Sequence, residues 1–386
     1  MTLPFRHRAV MRVASVLLCG LALTQARAQD LLIGQIASVS SVVTAANAKD
    51  LSLGMKTYFE HVNAQGGIRG RQIKVVNRDD GVNAAKMVEL TREFIANKDV
   101  VALAGYINTG GLADIARQDL LGRSGMAMVA PLAGDKEIVG ATNFFPFRSG
   151  YSDEVTALVK EAADTQKKRV VLTYWNVTFG PPMVKLAQEL AKQKNLNVVA
   201  TIELDAANAG NFEATMKRAL DETAKQAPDA VIMLMSSQYA TEFIKRIKSS
   251  PTASTQIYGL SIVVLDNILK TAGAERARGV VLAQAVPYPF SATLPVVGEY
   301  QRLMKQSAPD ATLSFSSFEG FAAAKILVEA ITRASPNPTR EKVSKALNEL
   351  GEFNLGGIYV NYSPKERQGW GGVDLTIIGP NGKLMR

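Results

Sequence analysis

The chain has 386 residues, 47% of them hydrophobic and 20% charged, with a formal net charge of +9 and one cysteine. That length can hold two domains with a core each, and the composition is that of a folded, globular chain. One cysteine and two histidines exclude a disulfide framework and a histidine–cysteine zinc site.

The first residues, MTLPFRHRAVMRVASVLLCGLALTQARAQD, begin with Arg6, Arg8 and Arg12, run apolar from Val13 to Leu23, and end in Ala26-Arg27-Ala28. This pattern is that of a secretory signal peptide over residues 1–28, too short for a spanning helix. It predicts an exported mature chain that begins at Gln29. Cys19 lacks the small preceding residue of a lipoprotein signal. The leader carries off the cysteine, His7 and four arginines, so the charge falls from +9 to +5 and His61 is the remaining histidine. A serine nucleophile would depend on that histidine, and no G-x-S-x-G pattern surrounds any serine. Basic residues alternate with acids, apart from Lys167–Arg169, so nothing supports nucleic-acid binding. No enzyme, metal or cofactor is expected.

The mature chain opens with a buried strand, LLIGQIA. A helix follows, with Leu51, Met55, Tyr58, Phe59 and Val62 at the spacing of one buried face. Next comes YFEHVNAQGGIRGRQIKVVNRDDG, Tyr58 to Gly81. A phosphate-binding glycine loop follows a strand and opens a helix; these glycines follow a helix and precede the strand IKVVNRD. They therefore end a helix. Asp79 and Asp80 precede GVNAAKM, where an acid favours the coming helix start.

The alternation continues through a helix marked by Met87, Leu90 and Phe94, the strand VVALAG, a helix through Ile115, and the strands MAMVAP and NFFPFRS. After Arg148 it begins afresh: a helix from Asp153, RVVLTYW, a helix from Pro181, NVVATIEL, a helix from Phe212, AVIMLM, a helix through Ile244, and QIYGLS. Apolar β-branched strands separated by amphipathic helices predict parallel sheets covered on both faces. The fold class is α/β, with two doubly wound lobes. Ligands of such sheets bind beyond the carboxyl ends of the strands. The loops there, YINTGG, LAGD, NVTFGPP, SSQ and LSIV, are small, hydroxylated or aromatic. Hydroxyls and N–H groups at a helix start suit a carboxylate, and Trp175 and Phe179 can wall an apolar body. The same residue types also serve as plain helix caps.

From Leu31 to the C-terminus these motifs resemble the periplasmic solute receptors of ABC importers, of the leucine/isoleucine/valine-binding type (type I periplasmic binding proteins). YFEHVNAQGGIRGRQIKVVNRDDG is similar to that family's first helix–turn–strand. AGYINTGG, MVAPLAG and YWNVTFG are similar to its ligand loops, and FEGFAAAKILVEAITRA and FNLGGIYVNYSP to its later segments. The resemblance implies two lobes joined by three crossovers, placed near Arg148, Val286 and Asn354. Lobe one would be residues 31–147 plus 287–353, and lobe two 148–286 plus 354–386.

Carried over by motif, the family's hydroxyl pair falls on Asn108 and Thr109, and its alanine–threonine contact on Ala133 and Gly134. Its second-lobe aromatic falls on Phe179, its cleft tyrosine on Ser236, and the acid for a ligand ammonium on Ser261. Tyr151 and Trp175 complete the candidate set. A serine at position 261 implies a carboxylate ligand without an α-amino group. Its aromatic or branched body would lie on Phe179 and Trp175, and its carboxylate on Asn108, Thr109 and the Ala133-Gly134 backbone. The alternative is an amino-acid receptor whose ammonium partner is Asp205 or Asp266. The expected partners are a small solute and an inner-membrane permease and ATPase, with the receptor itself a monomer. A sensory domain and an exported hydrolase are the other classes weighed. The first needs a membrane-spanning segment and the second an acid–base or metal constellation, and neither is found in the sequence.

Overall fold

A computed structural model describes residues 29–41, 44–176, 179–205, 211–235 and 237–386. The expected signal peptide and Ser236 lie outside the described residues. The first sheet contains β1 (Leu31–Ile36), β2 (Ile73–Arg78), β3 (Val100–Ala104), β4 (Met128–Val129) and β5 (Phe144–Phe145), in the order β2-β1-β3-β4-β5, all parallel. Its central strand β3 is buried throughout, because apolar clusters cover both faces: Met55, Phe59 and Phe321 on one, Met87, Phe94 and Leu112 on the other. The MAMVAP strand is shorter than the sequence predicts. Ala130 takes a φ of +49°, and Pro131 lacks an N–H to continue the ladder.

Helix Ala45–Ala64 lies against helix Phe315–Ala334 at very close range. A Cβ at Gly54 would fall 1.8 Å from the Ser317 carbonyl oxygen, and one at Gly320 would fall 2.0 Å from that of Leu51. Only glycine on each helix permits this reciprocal approach. The first helix then ends as its glycines predict. The N–H of Gly66 donates to Asn63 O and that of Gly67 to Val62 O, with both glycines at positive φ. Asp79 and Asp80 do not cap the next helix. That cap is Asn83, whose side chain accepts from the Lys86 N–H at 3.0 Å. Asp79 instead accepts from the N–H groups of Ser40 and Gly81, and Asp80 from the Ser38 hydroxyl, pinning this loop to the end of β1.

The second sheet contains β6 (Arg169–Trp175), β7 (Asn197–Leu204), β8 (Ala230–Leu234), β9 (Gln256–Gly259) and β10 (Val281–Gln284). It runs β10-β9-β8-β6-β7 in parallel, and two more strands extend it antiparallel beside β10. In sequence, between β10 and the two added strands, stands a small antiparallel sheet, β11 (Gly351–Asn354), β12 (Tyr359–Tyr362) and β13 (Arg367–Gln368). The two added strands of the second sheet are β14 (Asp374–Ile378) and β15 (Leu384–Met385).

The small sheet corrects the third crossover. Leu355, Ile358, Val360 and Tyr362 are buried in the core of the first lobe, and the Tyr362 hydroxyl donates to Pro146 O at 2.7 Å. FNLGGIYVNYSP is a hairpin turned at Gly356 and Gly357, both at positive φ, and not a passage between lobes. The chain changes lobes after β13, through Gly369–Gly372. There the three crossings meet. The Ser149 N–H donates to Ala285 O at 2.9 Å, the Trp370 N–H to Phe147 O at 2.8 Å, and the Ser149 hydroxyl to Gly372 O. A Cβ at Gly369 would fall 2.1 Å from the Phe147 carbonyl oxygen, so glycine is required where the strands touch. Among the described residues no helix is long and apolar enough to cross a membrane.

Candidate ligand cleft

A cleft of about 400 Å³ opens beside these crossings. The first lobe contributes Asn47 and Asp50 from its first helix, Leu132, Phe290, and the helix start Ser314–Ser316. The second lobe contributes the loop Ser261–Asp266 after β9, with Leu282 and Leu384. Arg148 and Gln284–Val286, from two of the crossings, form the remaining wall. The volume falls in the range of small-molecule sites.

Of the residues expected from the sequence, Ser261 and Asp266 line this cleft. Ser236 lies outside the described residues, and the remaining candidates are not among the residues that line it. Asn108 starts helix Thr109–Arg117 with Thr109 half-buried behind it; the Asn108 side chain accepts from the Gly111 N–H at 3.2 Å and donates to Asp80 at 2.7 Å. It caps a helix and latches a loop, with no polar atom to spare. Ala133 and Gly134 are buried; the Ala133 N–H bonds Pro131 O, and Gly134 O accepts from the Tyr151 N–H. A Cβ at Gly134 would meet the Tyr151 ring at 2.7 Å, which explains glycine where the family pattern has threonine. Tyr151 in turn packs on Phe179, ring centroids 5.0 Å apart. Trp175 lies against Tyr239 at 6.0 Å, wedged between the two cores of the second lobe. These aromatic residues are lobe structure; the rings that line the cleft are Phe290 and Phe315, edge-on at 5.5 Å.

The departure at Ser261 is compensated by a neighbour. Its N–H and hydroxyl donate to the two oxygens of Glu154 at 2.7 and 2.8 Å. Glu154, on helix Tyr151–Asp164, is completely buried. Burial pushes its carboxyl up to about 7, against the pull of the Ser261 bonds and the Arg148 charge. An acid therefore stands behind position 261, supplied by a different element. One signal for it was in the sequence: Tyr151, Glu154, Val155 and Leu158 follow a buried helical stripe, and an acid within such a stripe needs a partner.

Arg148 is the charged group of the crossing. Its Nε and Nη2 donate to Glu319 at 3.0 and 2.9 Å, a side-on pair in which the arginine residue is 8% exposed and the glutamate 0%. Nη1 is buried and has no hydrogen-bond partner among the described residues. Across the cleft Asp50 accepts from the Ser314 hydroxyl at 2.7 Å. Its pKa is raised by burial, opposed by that hydrogen bond and reinforced by the charge of Asp266 from the other lobe. The pairing of residues 148 and 319 spans 171 positions, and no local pattern announces it.

The family model for periplasmic binding proteins matches residues 31–382. The chain belongs to the periplasmic binding protein family. Within it the resemblance is to the leucine/isoleucine/valine-binding, type I branch. A substrate-binding periplasmic protein from Ralstonia solanacearum is 28% identical, with a TM-score of 0.83 over 92% of this chain and 99% of that one. A fatty acid ABC transporter substrate-binding protein from Thermomonospora curvata is 21% identical, TM-score 0.79, over 92% and 91%. A branched-chain amino acid transporter substrate-binding protein from Streptococcus pneumoniae, solved with isoleucine, is 17% identical, TM-score 0.79, over 92% and 98%. These last two likenesses establish the fold. The Leu/Ile/Val-binding protein homolog 2 of Brucella abortus (strain 2308) is 25% identical over 169 residues, 43% of this chain. That match spans 44% of the relative's own length. As a periplasmic binding protein the chain has the family's two doubly wound α/β lobes, with the cleft between them.

Proposed function

We propose that this periplasmic binding protein is the solute receptor of an ABC importer. It closes two lobes around a small carboxylate-bearing solute in the periplasm and delivers it to an inner-membrane permease and ATPase, acting as a monomer without catalysis. The observation that carries this reading is the cleft of about 400 Å³ whose walls come from both lobes and from the crossings that join them. A ligand touching both lobes favours the closed population, because it makes contacts there that the open form cannot offer. Phe290 and Phe315 supply an apolar wall, which supports an aromatic or branched ligand body.

A second reading, an amino-acid receptor, is favoured by Asp50 and Asp266, which line the same cleft from opposite lobes. It also gains from Glu154, which provides the acid missing at position 261. A thermal-shift screen separates the two: leucine and phenylalanine against their des-amino acids, with benzoates and dicarboxylates added. A ligand at a hundred times its dissociation constant stabilises the fold by about 2.7 kcal/mol. Response to des-amino acids supports the first reading, and response to amino acids alone supports the second. No stabilisation by any carboxylate would refute both.

A further inference from the structure

We propose that Arg148, through Nη1, anchors the ligand's carboxylate at the crossing between the lobes, and that the Asn108 side chain does not. This rests on the receptor reading and specifies its anion subsite. Arg148 lines the cleft, and its side-on pairing with Glu319 occupies Nε and Nη2. The remaining amino group stands on the opposite side of the planar guanidinium from that pair, buried and unpartnered. A buried donor left unbonded is costly, and the described residues offer it no acceptor. A carboxylate entering the cleft provides one, with a charge-assisted bond. At Asn108, by contrast, both polar atoms of the side chain are already bonded inside the lobe.

The position also couples binding to the hinge. Arg148 lies on the first crossing, holds Glu319 on a first-lobe helix, and stands within the electrostatic reach of Glu154 and Tyr151 on a second-lobe helix. A second anion arriving at Arg148 therefore meets the charge of Glu154. Glu154 also faces Ser261 and the charge of Asp153, while Tyr151 beside it faces Asp135. Binding should then draw a proton onto Glu154 near neutral pH.

The test uses the mature protein with 4-methylpentanoate and phenylacetate as probes, each beside its primary amide. Calorimetry is run at pH 7 in two buffers of different ionisation enthalpy. The wild type should bind the acids with net proton uptake, and should bind the amides at least about a hundredfold more weakly. Uptake should vanish in Glu154→Gln. Arg148→Lys, which keeps a charge for Glu319 but has no second amino group, should lose at least about a hundredfold in affinity for the acids. The neutral pair Arg148→Gln with Glu319→Gln should lose as much, and covers the case in which the lysine variant does not fold. Acids and amides binding alike would overturn the anchor on wild-type protein alone. So would a folded Arg148→Lys variant that binds within about threefold of wild type. If neither probe nor any other carboxylate stabilises the protein, the receptor reading itself fails, and that outcome is visible before any variant is made.

Discussion

The loop at Asn108 and the crossing at Arg148 each bury a polar side chain by more than nine-tenths, yet they differ in what they leave unbonded. Asn108 gives one side-chain atom to the Gly111 N–H and the other to Asp80, so both of its side-chain polar atoms are engaged without a ligand. Arg148 gives two nitrogens to Glu319 and leaves the third without a partner among the described residues. Residue types at a helix start describe what a loop could bind. The hydrogen-bond accounting of each atom describes what it still can.

The strongest way to break this comparison is to remove Glu319. Glu319→Ala would leave the Arg148 guanidinium buried with no anionic partner on its Nε side. Breaking a buried pair in this way costs about 3–5 kcal/mol. Urea denaturation of the unliganded protein measures it, and a loss below about 1 kcal/mol would mean that water replaces the pair and the crossing is not closed. The same measurement with a bound carboxylate would show a smaller loss if the ligand shares the guanidinium.

Glu154 sharpens the same side through pH. Its carboxyl is raised from 4.5 to about 7 in the folded protein. A carboxyl with a raised pKa contributes stability that is complete below the unfolded value and lost as pH rises through the folded one. Between pH 4.5 and 8 the wild type should therefore lose stability relative to Glu154→Gln, by on the order of 3 kcal/mol at about 1.4 kcal/mol per unit. Parallel denaturation curves for the two proteins across that window are the measurement. A constant difference between them would show that Glu154 ionises freely in the fold.

The two aromatic pairs repeat the contrast. Phe290 is 40% exposed at the cleft, whereas Trp175 lies between two cores. Phe290→Ala should weaken binding of an apolar carboxylate by about 1–3 kcal/mol while leaving the melting temperature nearly unchanged. Trp175→Ala should lower the melting temperature first, through a cavity at the boundary of the cores. Calorimetry and melting on both variants decide it. If the tryptophan variant keeps its stability and loses its affinity, the aromatic wall belongs to the second-lobe loop after all.

The sequence made the lobes legible because their signals are local. Strand and helix periods, the glycines at 66 and 67, and the renewed alternation after Arg148 each follow from neighbouring residues. The third crossing was misplaced where locality failed: Gly356-Gly357 turns a hairpin, and only the distant Pro146 and Phe145 show which lobe claims Tyr362. The cleft was harder still. Motif resemblance points to Asn108, Ala133 and Phe179, which are not among the residues that line the cleft of about 400 Å³. Arg148 with Glu319, Glu154 with Ser261, and Asp50 with Ser314 are pairs separated by more than a hundred positions, and only the folded chain brings them together.

The smallest expected effect tests the Asn108 side of the comparison. Asn108 holds a φ of +135°, in the region that favours glycine and disfavours any residue with a Cβ. Asn108→Ala keeps the Cβ and loses both the helix cap and the bond to Asp80. Asn108→Gly loses the same two bonds but relieves the backbone, and glycine is itself tolerated as a helix cap. The glycine variant should therefore be more stable than the alanine variant by about 1 kcal/mol. Denaturant midpoints of the two variants, compared at equal slope, resolve a difference of that size. An alanine variant as stable as the glycine one would mean that the loop relaxes to ordinary backbone once Asp80 releases it. A glycine variant that melts normally but loses about a hundredfold in carboxylate affinity would return the anchor to the helix start, and the contrast with Arg148 would reverse.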